Sequence, residues 1–244
     1  MLVGCALTSC SVTLPSSSGS SSSSSSDSSS LRLVSKDQYL VDYSKEFGKD
    51  FFLAHGYKNG YPFNCYWSRE AGYLENDALN LKLYKEGDRY YGAEYRSRQG
   101  NFHYGYYAVC MKAARCNGTI SSFFTYTHYP VWDEIDIEFL GKNFAQVQFN
   151  YYTNGVGGHE YLHDLGFDAT ADFHEYGFEW LKDSITWYVD GVKIHTATEN
   201  LPSHPQYLMM NLWNCIGHDE WSGPFDESKL PVTAQYKYIA YIPA

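Results

Sequence analysis

The densest chemistry lies in Asp133-Glu134-Ile135-Asp136-Ile137-Glu138. Ile135 and Ile137 alternate with Glu134, Asp136 and Glu138, so on a β-strand the three carboxylates share one face. Like charges this close raise at least one pKa. One carboxylate can then stay ionised while another keeps its proton, the two states that glycoside hydrolysis needs. Retaining enzymes place the two groups about 5–5.5 Å apart. On a flat strand, Cα atoms four residues apart are roughly 13 Å apart. Long Glu side chains can lean together over that span, and a concave strand shortens it. Asp136, shorter and between them, can hydrogen-bond one Glu and tune its charge. A solvated acidic strand and a calcium site are the other readings of the triplet. Calcium usually draws ligands from loops and carbonyls, which the regular Ile alternation opposes.

A second pattern is His159-Glu160-Tyr161-Leu162-His163, which matches the HExxH of zinc proteases. That chemistry needs both imidazoles on one helix face and a third ligand. Gly157-Gly158 and Gly166 flank the match and leave barely two turns, so zinc proteolysis is set aside. The chain has no GxSxG, P-loop or dinucleotide fingerprint.

The elements that carry these residues are strands. Period-2 patterning predicts them at Ala78–Lys85, Tyr90–Arg98, Tyr104–Ala113, Ile120–Thr127, Glu134–Leu140 and Ala145–Tyr152. It continues at His174–Leu181, Ser184–Val189, Val192–Ala197, Tyr207–Trp213 and Thr233–Ile242. Asp190-Gly191 marks a hairpin. Many strands at short spacing imply an all-β sandwich or barrel. Val147, Phe149 and Tyr151 oppose Gln146, Gln148, Asn150 and Tyr152; Met210 and Leu212 oppose Met209, Asn211 and Trp213; Ala93 and Tyr95 oppose Glu94 and Arg96. Each strand therefore offers an apolar face for a core and a second face of amides, carboxylates and flat rings. Such a face suits a sugar cleft, because rings stack on pyranose faces and amides bind hydroxyls. A second aromatic core layer is the competing reading, and unpaired carboxylates count against it.

Composition narrows the partners. The chain has 244 residues, a net charge of −10 and 18% aromatic residues. Phosphate backbones require basic patches, so nucleic acid is not an expected partner. Apolar runs are too short for a helical membrane span. Residues 16–30 hold 13 Ser and read as a flexible linker. The expected organisation is a lipoprotein signal remnant at 1–15, the linker at 16–30 and a single domain at 31–244. Leu2-Val3-Gly4-Cys5 and Leu7-Thr8-Ser9-Cys10 both look like a lipobox, so Cys5 or Cys10 is the expected lipid anchor and the expected location is extracellular or at a bacterial cell surface.

Trp132 to Lys142 resembles the active-site strand of glycoside hydrolase family 16, in its bacterial lichenase (endo-1,3-1,4-β-glucanase) branch. The resemblance extends through Ala93-Glu94-Tyr95-Arg96-Ser97, Ser121–Thr127, Val147–Glu160, Trp187–Gly191 and Met209–Asn214, and spans about residues 39–241. It implies a jelly-roll, concanavalin-like β-sandwich with a concave substrate groove. It implies Glu134 as nucleophile, Glu138 as general acid/base and Asp136 as assistant. The substrate positions it implies are Tyr57, Asn59, Phe63, Glu94, Arg96, Phe124, Tyr126, Trp132, Asn150, Tyr152, Asn211 and Trp213. Glu94 with Arg96 also reads as a plain ion pair, and Trp132 and Trp213 as core aromatics. The implied substrate is mixed-linkage β-glucan, cut by a monomer without a cofactor.

Alternatives within the fold are a β-1,3-glucanase (laminarinase) and a xyloglucan-type transglycosylase; these relatives commonly carry an insertion before the last Glu or Phe at position 137, and this chain has neither. A non-catalytic sugar-binding jelly roll need not keep all three carboxylates. The sequence departs from the family twice. Gly92 stands where a Cys commonly pairs with Cys65, leaving Cys65, Cys110, Cys116 and Cys215 with three possible full pairings. Lys237 stands where an Asp commonly binds calcium. A Lys cannot ligate calcium, so no metal is expected there.

Overall fold

The computed structural model describes residues 39–244. The expected leader, Cys5, Cys10 and the Ser-rich linker lie outside the described residues. The chain enters through β1 (Tyr39–Asp42), β2 (Phe51–Leu53), β3 (Tyr66–Trp67), β4 (Gly72–Glu75), β5 (Ala78–Glu86) and β6 (Arg89–Ser97). It continues through β7 (Gly105–Lys112), β8 (Thr119–Tyr126), β9 (Glu134–Leu140), β10 (Gln146–Tyr152) and β11 (Tyr161–Asp164). The last strands are β12 (His174–Trp180), β13 (Ile185–Val189), β14 (Val192–Ala197), β15 (Tyr207–Asn214) and β16 (Val232–Pro243). A single turn of helix, α1 (Asp219–Ser222), follows β15.

Hydrogen-bonded neighbours run β11-β10-β9-β8-β15-β6-β5-β16-β7-β12-β13-β14. The path folds over at β6–β5, so β11 to β6 form one sheet of a jelly-roll sandwich and β5 to β14 the other. Every run predicted by alternation is a strand. The strands it misses, β1 to β4 and β11, are two to four residues long, too short for a period to show. Asp190 and Gly191 close the β13–β14 hairpin with φ of 48° and 74°, the left-handed pair that a two-residue turn of this kind requires.

The core lies between the sheets. Phe123, Ile135, Ile137 and Phe149 from one side meet Tyr107, Tyr176, Phe178 and Trp187 from the other, all buried. Phe139 meets Tyr176 edge-on at 4.7 Å between centroids, and Phe149 stacks on Trp187 at 5.7 Å. Each such side chain contributes about 1.5–3 kcal/mol by leaving water. Two polar contacts fix the sheets in register: Trp187 Nε1 donates to the Asp136 carbonyl at 3.1 Å, and the Tyr236 hydroxyl donates to the Ser122 carbonyl at 3.0 Å. The opposing sheet therefore grips the carboxylate strand at its middle residue.

Cys65, Cys116 and Cys215 are buried free thiols, so none of the three full cysteine pairings is made. A Cβ at Gly92 would meet Cys65 Sγ at 2.7 Å and the Leu212 carbonyl at 2.5 Å, so the missing side chain lets β15 approach. The HExxH segment enters β11, an extended strand paired with β10. His159 lies flat on Tyr151 at 3.9 Å, and no helix face gathers it with His163.

Candidate active site

Strand register sets the carboxylates into a grid. Across β10, β9, β8 and β15, one row is Tyr152, Glu134, Tyr126 and Tyr207. The next is Asn150, Asp136, Phe124 and Met209, ending on Arg96 of β6. The third is Gln148, Glu138, Ser122 and Asn211, ending on Glu94. Alternation turns all of them to the face away from the core. A cavity of about 860 Å³ covers this face.

The cavity brings together every residue that sequence reasoning named: Glu134, Asp136, Glu138, Tyr57, Asn59, Phe63, Glu94, Arg96, Phe124, Tyr126, Trp132, Asn150, Tyr152, Asn211 and Trp213. It also holds Pro62, Ser122, His128, Gln148, Glu160, Met209, His218 and Trp221. Alternation had put Gln148 and Met209 on this face without singling them out. His128, His218 and Trp221 come from segments between strands and carry no periodic signal. The ion-pair reading holds for Glu94 and Arg96, and the core reading holds for Trp213 but not for Trp132. Glu94 and Arg96 form an ion pair at 3.7 Å within the groove wall. Trp213 joins the core and stacks on Phe63 at 3.9 Å, while Trp132 stays 39% exposed.

Trp132 sits at φ 47°, a conformation that costs a bulky residue about 1–3 kcal/mol. Surrounding contacts hold it there. Its indole stacks on Tyr152 at 5.2 Å, its carbonyl accepts from the Gly155 amide at 2.8 Å, and its Nε1 donates to Glu134 Oε2 at 2.7 Å. Beneath it Asp133 is fully buried. Asp133 accepts from the Asn154 amide at 2.9 Å and the Ser203 and His204 amides at 3.0 and 3.2 Å, and meets His204 Nδ1 at 2.8 Å. The bend that leads into β9 is thus anchored to two distant segments.

Burial raises the pKa of all three groove carboxyls, which titrate as a group. Against burial, Glu134 receives the Trp132 indole and a hydrogen bond shared with Asp136. Asp136 is held well above the usual range by burial and by the charges of Glu134 and Glu138. Glu138 is raised by burial and by Glu134, and Gln148 Nε2, donating at 2.9 Å, opposes this. The donors therefore favour ionisation first at Glu134, with protons retained on Asp136 and Glu138. Trp221 Nε1 donates to Gln148 Oε1 at 3.1 Å and fixes which end of that amide faces Glu138. Burial and the three carboxylates push the Tyr152 phenol up to about 12, so it remains a donor. Burial raises Glu94 to about 7, with Arg96 and Tyr57 opposing.

A jelly-roll whose groove floor carries paired Glu residues, one better supplied with donors than the other, has the architecture and charge states of a glycosidase. Residues 59–238 match the family model of glycosyl hydrolases family 16, and the chain belongs to that family. A β-glucanase of Acetivibrio thermocellus is 52% identical over 195 residues, covering 76% of this chain and 57% of the relative. The chain therefore spans little more than half of that relative's length. A β-glucanase of Paenibacillus polymyxa is 51% identical over 193 residues, covering 77% of this chain and 80% of the relative. Among solved structures, a β-1,3-1,4-glucanase (lichenase) from a mouse hindgut metagenome is 45% identical at a TM-score of 0.81, covering 85% of this chain and 99% of that one. A laminarinase catalytic domain from Thermotoga maritima, 22% identical at a TM-score of 0.73, covering 84% of this chain and 97% of that one, shares the fold.

Proposed function

We propose that the protein is an endo-acting, retaining glycoside hydrolase that cleaves mixed-linkage 1,3-1,4-β-D-glucan. The observation that carries this reading is the Glu134-Asp136-Glu138 column along β9 on the floor of a groove walled by aromatic rings and amides. Relatives named β-glucanase and lichenase support the substrate class. Glu134, held by the Trp132 indole, attacks the anomeric carbon. Glu138 protonates the departing glycosidic oxygen and later takes a proton from the incoming water. Asp136, protonated between them, donates to Glu134 and spares the site a third charge. Asn150, Asn211, Glu94 and Arg96 bind hydroxyls, while Trp132, Tyr152, Tyr126 and Phe63 offer ring faces and edges.

Calcium has no part in this scheme. The Lys237 ammonium lies over the Phe173 ring at 4.4 Å, and a cation at that position does not fit a calcium ligand set. An enzyme for a polymer too large to enter a cell works outside it, in keeping with the lipobox-like Cys5 and Cys10.

The test is reducing-sugar release from barley β-glucan, lichenan, laminarin and carboxymethylcellulose in parallel. Activity on the two mixed-linkage glucans is expected, and activity on laminarin alone overturns the substrate. Azide rescue of Glu134→Ala should give an α-glycosyl azide, and rescue of Glu138→Ala the β-anomer. Exchanged products mean that the two roles are reversed.

A further inference from the structure

The groove contains an imidazole that the reaction scheme does not use. His128 lies in the segment between β8 and β9, and its Nε2 is 2.9 Å from Arg96 Nη2. A guanidinium has only donors. His128 Nε2 must therefore accept, which leaves the imidazole neutral with its proton on Nδ1. A protonated His128 would set two cations against each other at that distance.

This contact and a hydrogen bond shared with the Tyr57 hydroxyl orient Arg96. Its guanidinium centre lies 5.0 Å from the Tyr207 ring and 5.7 Å from the Phe52 ring, which confine it without hydrogen bonding. Glu94 Oε1 lies at 3.7 Å, beyond hydrogen-bond length, and Arg96 Nε is buried without a partner. The His128 ring is itself held edge-on by Tyr126 and Tyr207 at 5.5 and 5.0 Å. Arg96 closes the Asp136 row three strands away from β9, on the order of 14 Å at ordinary strand spacing. A sugar touching Arg96 is therefore not the one being cleaved.

We propose that His128 is a positioning residue for Arg96, and that the grip on sugar units remote from the cleaved bond requires its neutral imidazole. The sugar part of this proposal rests on the glucanase reading above. Burial and the Arg96 charge both hold His128 below its ordinary pKa, so the contact survives into mildly acidic solution and breaks below that. The charged and titratable groups facing the pair are Glu94 and Tyr57 on the groove wall, Glu134 beyond Tyr126, Tyr207, and Arg98 across Phe52.

The experiment has a kinetic arm and a spectroscopic arm. On barley β-glucan, the KM of the wild type should rise at least threefold between pH 7 and pH 4, with kcat following the carboxyl groups alone. His128→Asn keeps an acceptor that does not titrate, and its KM should keep only the part of this rise that Glu94, which titrates in the same range, contributes. His128→Phe keeps the ring without an acceptor, and its KM should be raised several-fold at every pH. A His128→Asn variant with the wild-type acid rise, or a His128→Phe variant with wild-type KM, overturns the proposal. Nitrogen NMR of the imidazole should show an Nδ1-protonated tautomer whose pKa rises in Arg96→Met. An unchanged pKa there rejects the pair whether or not glucan is the substrate. Wild type inactive on all four glucans sinks the glucanase reading instead.

Discussion

Asp133 and Asp136 stand three residues apart in one segment, both nearly inaccessible to water, at 0% and 4% exposure. Alternation turns Asp133 toward the core with Ile135 and Ile137, and Asp136 toward the groove with the two Glu residues. Burial opposes the charge of both. At Asp133 the Asn154 amide, the His204 ring and the Ser203 and His204 amides outweigh it and hold the carboxyl below its ordinary value. At Asp136 the charges of Glu134 and Glu138 add to burial and drive the carboxyl far above it. The surroundings, not depth, decide the sign: a buried carboxylate ringed by N–H groups is a structural anchor, and a carboxyl ringed by carboxylates is held to its proton. The first holds the bend into β9 so that the second has a fixed place.

The largest break in this comparison is Asp136→Asn. The amide removes a group whose ionisation burial and like charge oppose, and it offers Glu134 a fixed N–H donor in place of a proton that can move. We expect kcat on β-glucan to fall about a hundredfold, within the range for lost proton management, while Tm at pH 7 rises by about 2–4 °C for each kcal/mol relieved. A folded-state pKa above the unfolded value of about 3.9 means that the wild type is favoured at low pH and loses that advantage as pH rises through the folded value. The stability gain should therefore vanish in acid. Thermal melts from pH 3 to 8 check this, and a lower Tm at pH 7 would refute the assignment of strain to Asp136.

Asp133→Asn should give the mirror result at smaller amplitude. It presents an amide NH₂ to backbone donors, and at least one buried N–H loses its acceptor, at about 1–3 kcal/mol. We expect Tm to fall by about 2–12 °C and kcat to fall about tenfold as Trp132 and Glu134 lose their footing. Here the folded pKa is depressed, so the stabilisation is present above about pH 4 and is lost as pH falls through the lower folded value. The gap between wild type and variant should close only in strong acid. A Tm unchanged at pH 7 would remove Asp133 as the anchor.

The contrast between these residues also marks what the sequence reveals. A period of two assigns Glu134, Asp136, Glu138, Asn150, Asn211 and Glu94 to one face, because local sterics alone decide which way a strand residue points. The same rule turns Asp133 inward, but its partners Ser203 and His204 lie seventy residues on and belong to no pattern. His128 against Arg96 and Trp221 against Gln148 are hidden for the same reason, being contacts between a strand and a connecting segment whose path only the tertiary fold sets. The HExxH match shows the converse: five residues satisfied a spacing rule whose geometry belongs to a helix, and the chain there enters a strand.

The smallest expected effect tests the one donor that the groove does give Glu138. Gln148 can either donate through Nε2 or accept through Oε1, and the Trp221 indole selects donation by occupying Oε1. Trp221→Phe keeps a ring in the wall and removes the N–H. The amide is then free to turn its oxygen toward Glu138, which favours the protonated acid. Burial and the charges of Glu134 and Glu160 already push Glu138 the same way. The basic limb of kcat/KM should therefore move to higher pH by about one unit, since one unit corresponds to 1.36 kcal/mol and a hydrogen bond to a charged group is worth about 1.5 kcal/mol at the low end of its range. At neutral pH kcat should fall two- to threefold, because the second half of the reaction needs Glu138 ionised. Gln148→Met should move the limb in the same direction. If Gln148→Met moves it and Trp221→Phe does not, the indole is only a wall of the groove, and donor supply at Glu138 is set by Gln148 alone.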